Sequence, residues 1–290
     1  MRRRHGETVD LRWLSARSFT QKWYPQGIDA GSWQGRRALA VSWFRQDKNR
    51  QHLASRVTFI DLERARHLDV SLMIEGEDGE LHPAQIHAGG LAWFGDRLFV
   101  AATGQGIWEF DLSDVRRLRG ADARRALGAT GRGRGAVALA LVRTRVHAVA
   151  LRCSFIGRVF DENTSTDRVL IGEYRTDKAG RVGEFTIPYE PDGSFEPLGE
   201  FTPGIKRMQG AVRWGTRTFI SRSNGLRTRG SLWSGNSDGS TGADFQRVAV
   251  AMPVGCEDLA LDAEGQMLWT VGEHPWKRVV RGIRFAKLDL

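Results

Sequence analysis

The sequence predicts an all-β fold, a β-propeller of five blades, and three observations carry that expectation. A hairpin-like unit recurs along the chain, with Gly27, Gly90, Ser154, Gly210 and Asp258 as its anchors. The anchors are 63, 64, 56 and 48 residues apart, irregular but of one order. A strand-like stretch also precedes the first unit, and the last unit ends close to the C-terminus. Repeated units of three or four strands fit radially arranged sheets better than a sandwich.

In chain order, residues 9–19 have strand character and are expected to supply an outer strand to the last blade, closing the ring. The first unit runs from Tyr24-Pro25-Gln26-Gly27-Ile28 through Gly35 to Leu39-Ala40-Val41-Ser42-Trp43-Phe44, with a third strand over 56–62. The second runs from His87-Ala88-Gly89-Gly90 through Gly95-Asp96 to Leu98-Phe99-Val100, with a third strand over 106–112. Residues 116–135 are rich in Arg, Ala and Gly and lack β signal, so 115–127 reads as a short helix or a loop. Six blades is the alternative if 116–150 hides another unit. The third unit starts at Cys153-Ser154-Phe155 and continues over 168–174 and 181–187. The fourth has Met208-Gln209-Gly210, then Thr218-Phe219-Ile220-Ser221, then 230–233. The fifth has Gly255-Cys256-Glu257-Asp258-Leu259, then Leu268-Trp269-Thr270-Val271, then 278–285. A short strand, a turn with Gly or Asp and a second apolar strand make a hairpin by their turn chemistry. The whole of 1–290 reads as one propeller domain.

Bulk properties narrow the function. The net charge is +9, but only six of the 43 basic residues are Lys. The Arg residues are scattered and not interleaved with aromatics, which argues against nucleic acid as partner. No apolar run is long enough for a membrane span. The basic start is not followed by an apolar segment, which favours the cytoplasm, or secretion if a signal has been trimmed. Two cysteines exclude a disulfide scaffold and leave one bridge open. A nucleotide-binding glycine loop, a Gly-x-Ser-x-Gly elbow and a His-Glu-x-x-His pair are all missing from the sequence.

In a propeller the first strand of each blade lines the channel. Its start, and the loop after the second strand, surround one mouth. That register brings Tyr24, Gln26, His87, Gln209, Glu257 and Asp258 to the funnel from strand starts, with Cys153 and Arg207. It brings Tyr174, Arg175, Arg222, Asn224 and His274 from the loops. Only His87 and His274 among the histidines fall at the funnel; His52, His67 and His82 fall in loops. A buried carboxylate at Glu257 suits a general acid or base. An Arg207–Glu257 ion pair that merely organises the mouth is the plainer alternative. A reactive Cys153 would need a positive neighbour, for which Arg207 is the candidate.

Several of these segments together resemble a group of actinobacterial propeller-like proteins with no assigned activity. They are Tyr24 to Ile28, Ile86 to Gly90 with Trp93, Met208-Gln209-Gly210 with Ser221 to Gly225, and Glu257-Asp258-Leu259 with Glu273-His274-Pro275. More distantly, Gly255-Cys256-Glu257-Asp258-Leu259 is similar to the inner-strand motif of arylesterase-type and strictosidine-synthase-like propellers. That resemblance implies a channel cation held near Glu257 and Asp258. Gln26, Gly89, Cys153 and Gln209 stand where that family offers harder oxygen donors, so no cofactor is expected.

The expectation is a small-molecule enzyme working in the funnel by non-redox hydrolysis, elimination or cyclisation, plausible in specialised metabolism. Glu257 would be the acid or base and His87 or His274 a proton carrier. Arg207, Arg222 or Arg175 would steady negative charge. A glycan- or metabolite-binding propeller and a protein-interaction scaffold are the alternatives, since fold alone decides neither.

Overall fold

The computed structural model describes residues 2–5, 8–13, 16–64, 66–128, 135–190, 192–236 and 244–290. Two short strands come first, β1 (Arg2–His5) and β2 (Thr8–Leu11). The first sheet follows: β3 (Trp23–Trp33), β4 (Arg36–Gln46), β5 (His52–Asp61) and β6 (Arg66–Glu75), with a stub β7 (Leu81–Pro83) on β6. Next come β8 (Leu91–Phe94), β9 (Arg97–Ala101), β10 (Ile107–Asp111), β11 (Arg116–Arg119), helix α1 (Gly120–Leu127) and β12 (Val137–His147). The third sheet is β13 (Phe155–Phe160), β14 (Arg168–Gly172), β15 (Val182–Thr186) and β16 (Glu196–Phe201). The fourth is β17 (Met208–Trp214), β18 (Arg217–Arg222), β19 (Ser231–Asn236) and β20 (Gln246–Val248). The last contains β21 (Cys256–Asp262), β22 (Met267–Gly272) and β23 (Val279–Arg284).

Antiparallel pairing divides these strands into five sheets, four built on the four-strand paths β3-β4-β5-β6, β8-β9-β10-β12, β13-β14-β15-β16 and β17-β18-β19-β20, and a five-stranded one, β21-β22-β23-β2-β1. Parallel contacts link neighbours, β6 with β12 and β13 with β17. The first strands β3, β8, β13, β17 and β21 each touch the next, and β21 touches β3, so the ring closes. The expected N-terminal closure is present, but in a shorter element than residues 9–19. β2 pairs with β23 from Thr8↔Ile283 to Leu11↔Val280, and 16–18 form a 3-10 turn.

The core explains why the strands read as near-continuous apolar runs. Each sheet is buried on both faces, because one side chain turns to one neighbour and the next to the other. In β4, Ala38 and Ala40 join Trp93 and Phe110 between the first and second sheets, while Leu39, Val41 and Trp43 join Trp269 and Val280 between the fifth and first. The other three gaps are filled around Phe99 and Ile171, Met208 and Ile220, and Leu259 and Leu268. Each fully buried Leu, Ile or Phe contributes roughly 1.5–3 kcal/mol.

The segment expected to lack strand does so only in part. Arg116–Arg119 pairs with Val137–Ala140, and the helix then begins at Gly120. The strand carries a single inward apolar residue, Leu118, between three arginines, which hides any period-two pattern. Together with β12 it completes the second sheet and adds no sixth one among the described residues. Both cysteines are buried and free, so the bridge left open by the sequence does not form.

Candidate active site

Antiparallel pairing puts the start of each first strand at the same end as the loop joining its second and third strands. That end is the mouth. In the second to fifth units the entry to the first strand passes through a left-handed residue: Ala88 (φ 53°), Cys153 (φ 53°), Arg207 (φ 59°) and Gly255 (φ 60°). The turn lets the chain drop from the rim into the channel.

Three of the five first strands then carry a bulge. In β3, Gln26 and Gly27 interrupt the register between Pro25↔Trp43 and Ile28↔Val41. In β17 it is Gln209, between Met208↔Arg222 and Gly210↔Ser221. In β21 it is Glu257 and Asp258, between Cys256↔Gly272 and Leu259↔Thr270. A bulge leaves residues out of the ladder and re-aims their side chains. Here it supplies the polar groups of the site.

Glu257 is 2% exposed, and its Oε1 accepts a 3.2 Å hydrogen bond from Gln209 Nε2. Gln26 Nε2, from the first sheet, donates at 3.0 Å to Glu273 Oε2. Glu273 follows β22, and its backbone N–H bonds the Gly255 carbonyl at 2.9 Å. Burial raises Glu257 well above the usual carboxylate range, and the charges of Glu273 and Asp258 push in the same direction. Burial also raises Glu273, but the Gln26 bond and the Arg278 guanidinium oppose that rise. The two carboxyls therefore sit in unlike surroundings: burial and like charges favour the proton on Glu257, while Gln26 and Arg278 favour the ionised form of Glu273.

Asp258 lies deeper and has another task. Its Oδ2 accepts the backbone N–H groups of Ile28 and Leu91, each at 3.1 Å, so one side chain of the fifth sheet ties down the first and second. Burial pushes its pKa far up, and Oδ1 has no hydrogen-bond partner among the described residues. Below it Asp29 pairs with Arg158 at 2.9 Å, and Arg158 also bonds the Ala30 and Leu261 carbonyls. Through these bonds Arg158 ties the third sheet to the first and the fifth. Burial lifts Asp29 to about 6 against the pull of Arg158.

One wall is aromatic. Tyr24 stacks on Phe44 with centroids 5.4 Å apart, and Phe44 meets His87 at 4.6 Å. His52 faces His87, with ring nitrogens 3.5 Å apart. His52 was expected in a loop; it instead begins β5 and lies at the mouth. Burial, with His52 and Arg152 nearby, pushes His87 down to about 4, so it is neutral at ordinary pH. Arg278 is 1% exposed and lies over the Tyr24 ring at 5.4 Å, while its Nε bonds the Glu273 carbonyl at 2.8 Å.

The other predicted positions are placed as follows. Tyr174 is half-buried, close enough to Glu257, Glu273 and Arg207 to feel their charges, and burial raises its pKa. His274 Nδ1 is 3.4 Å from Glu273 Oε1, and burial lowers its pKa. Arg207 is exposed and forms no ion pair with Glu257; Gln209 holds that carboxyl instead. Arg222 ends β18. Arg175 is held by Asp177 at 3.1 Å, and Asn224 by the Arg229 carbonyl at 2.9 Å. The thiol idea fails at Cys153, which burial and Glu173 push up to about 12. The sequence register brings Glu273 to the mouth with His274 at a second-strand end but gives it no role, and it places neither His52 nor Arg278 there.

Among the described residues, the one group of three possible metal ligands is Asp78, Glu80 and His82, on the surface away from the channel. No described helix is long and apolar enough to cross a membrane.

No family model matches the chain, and no curated protein matches it in sequence. The resemblances to actinobacterial and arylesterase-type propellers thus rest on their quoted residues alone. Among solved structures the chain is similar to RS223-Beta-xylosidase, at 10% identity over 89% of this chain and 91% of that one, with a TM-score of 0.44. It is similar to the GH43_1 enzyme from Xanthomonas citri at 12% identity, over 92% and 90% of the two chains, with a TM-score of 0.47. It is also similar to Myxococcus xanthus glutaminyl cyclase at 13% identity, over 90% and 94%, with a TM-score of 0.44. Likeness of this degree assigns this chain no chemistry.

Proposed function

We propose that the chain is a small-molecule enzyme whose funnel performs acid–base chemistry of the hydrolytic, eliminating or cyclising kind. One observation carries the reading: Glu257, buried in β21, and Glu273, half-buried just after β22, belong to one sheet, and each is oriented by a glutamine from a different sheet. Two carboxyls in unlike surroundings divide into an acid and a base. Glu257, protonated, donates to a leaving group. Glu273, ionised and next to His274, accepts a proton from the attacking group. Tyr174 and Arg207 stand on the same side to orient the substrate, and neutral His87 belongs to the aromatic wall.

The test is a mass-spectrometric screen of small esters, glycosides, lactones and N-terminal glutamine peptides, followed by Glu257→Gln and Glu273→Gln. Each variant should lower turnover by about 10²–10⁴-fold, the usual contribution of a general acid or base. A turnover that survives both substitutions removes the acid–base pair from the reaction. A carbon-13 titration of the labelled carboxyls checks the assignment without a substrate: Glu257 should titrate later than Glu273.

A further inference from the structure

The two ends of the ring differ in how their arginines are satisfied. At the end opposite the mouth several meet carboxylates, Arg36 with Asp61, Arg37 with Asp262, and Arg168 with Asp161 and Glu184, while Arg217 bonds only hydroxyl and carbonyl oxygens. At the mouth Arg175 and Arg181 are paired as well. The guanidinium groups of Arg152, Arg207 and Arg222 form no ion pair among the described residues, although the Glu173 carboxyl accepts the Arg152 backbone N–H. Part of the chain's charge of +9 thus stands at the mouth on guanidinium groups that no carboxylate among the described residues pairs.

These three are not scattered surface cations. Arg152 and Arg207 occupy related positions at the entries of the third and fourth first strands, and Arg222 ends the second strand of the fourth sheet. Arg207 and Arg222 are neighbours: Met208 pairs with Arg222, and Ser223 N–H bonds the Arg207 carbonyl at 3.1 Å. Arg207 reaches Tyr174 with its field, Arg152 reaches His87, and Tyr174 in turn senses Glu257 and Glu273. Arg222 Nε is buried and has no hydrogen-bond partner among the described residues, and unlike Arg37 and Arg168, whose Nε atoms share that state, its guanidinium has no carboxylate either. Such a group inside a protein calls for an acceptor. Arg207 also holds a left-handed backbone at φ 59°, where the fifth sheet uses Gly255. An arginine there carries backbone strain that a glycine would not.

We infer that the funnel takes a small molecule carrying an oxyanion, a carboxylate or a phosphate, which Arg207 and Arg222 grip and Arg152 helps to draw in. Guanidinium groups suit planar, bidentate recognition of both anions. The aromatic wall then takes the body of the molecule, and the anion at the rim sets how far it descends toward Glu257. This deepens the proposed acid–base reading and rests on the same funnel, but its test needs no turnover.

The experiment is calorimetric titration of the full chain with malonate in one arm and inorganic phosphate in the other, at low ionic strength. Wild type should bind at least one of them with one-to-one stoichiometry, and the arm that saturates names the anion. Arg207→Gly, which suits the left-handed backbone, and Arg222→Gln should each weaken binding roughly tenfold or more. Arg36→Gln at the opposite end should leave it unchanged, and circular dichroism should show all three folded. Glu257→Gln should retain the anion, so its loss of turnover and a loss of anion binding are separate results. Absence of saturable heat in both arms overturns the proposal. So does equal weakening by Arg36→Gln, which would mark a general charge effect. Binding of a single-stranded DNA oligonucleotide that phosphate cannot displace would make the mouth a polyanion surface and also overturn it.

Discussion

At the scale of single residues, the site separates groups by how burial acts on them. The same desolvation that keeps the proton on Glu257 strips it from His87. For His87 the consequence for stability can be signed. Its folded pKa of about 4 lies below the 6.5 of an unperturbed histidine. Between those values the unfolded chain binds a proton that the folded chain refuses, so stability is complete above the window and is lost as pH falls through it. The His87→Gln variant should therefore lose less melting temperature than wild type between pH 7 and pH 4.5. Raised carboxyls such as Asp29 and Glu257 act in the opposite sense, gaining stability as pH falls, but they are common to both proteins and cancel in the comparison. Identical acid slopes for the two would mean that His87 is not held neutral.

At the scale of the element, the spacing between first strands is set by glycine. A Cβ at Gly157 in β13 would overlap the Ala211 carbonyl oxygen of β17, and one at Gly210 would come within 2.7 Å of the Asp258 Cα. Neither contact involves the far end of a flexible side chain, so neither can yield cheaply. Gly157→Ala should cost about 1–3 kcal/mol, as overpacking does. Gly199→Ala in β16, where nothing lies within 4 Å, should be neutral or stabilise by roughly 0.5–1 kcal/mol. Urea denaturation of the pair separates the two cases; an equal effect would mean that glycine is not what sets the strand spacing. Gly27, Gly90 and Gly210 were readable as repeat anchors because that close approach recurs in most of the units. The bulges were not readable. They depend on which residue faces which across the hairpin, and Gln26, Gln209 and Glu257 have nothing else in common. Glu273 was undervalued for a similar reason. Its importance comes from Gln26, 247 residues away, and no local pattern announces such a partner.

At the scale of the molecule, the ring was legible because every blade repeats the same hairpin chemistry and the chain begins with an extra strand. The parallel seam of β6 with β12 was not, because its two strands come from successive sheets and share no turn. Closure depends on one further contact: Arg281 Nε and Nη2 bind the two oxygens of Asp10, both at 2.7 Å, joining β2 to β23. Asp10 is 2% exposed, so this pair is shielded from water. A double-mutant cycle of Asp10→Asn and Arg281→Gln should give a coupling of about 0.5–3 kcal/mol. A coupling near zero would leave the clasp to backbone hydrogen bonds alone. The clasp also orders events in time. Thr8–Leu11 leaves the ribosome well before its partner β23, because Asp10 and Arg281 lie 271 residues apart in the chain. Until then the nascent chain carries an unmated edge at each end of an open arc. Because contacts so distant in sequence form slowly, the interval before they meet is when neighbouring nascent chains can exchange strands.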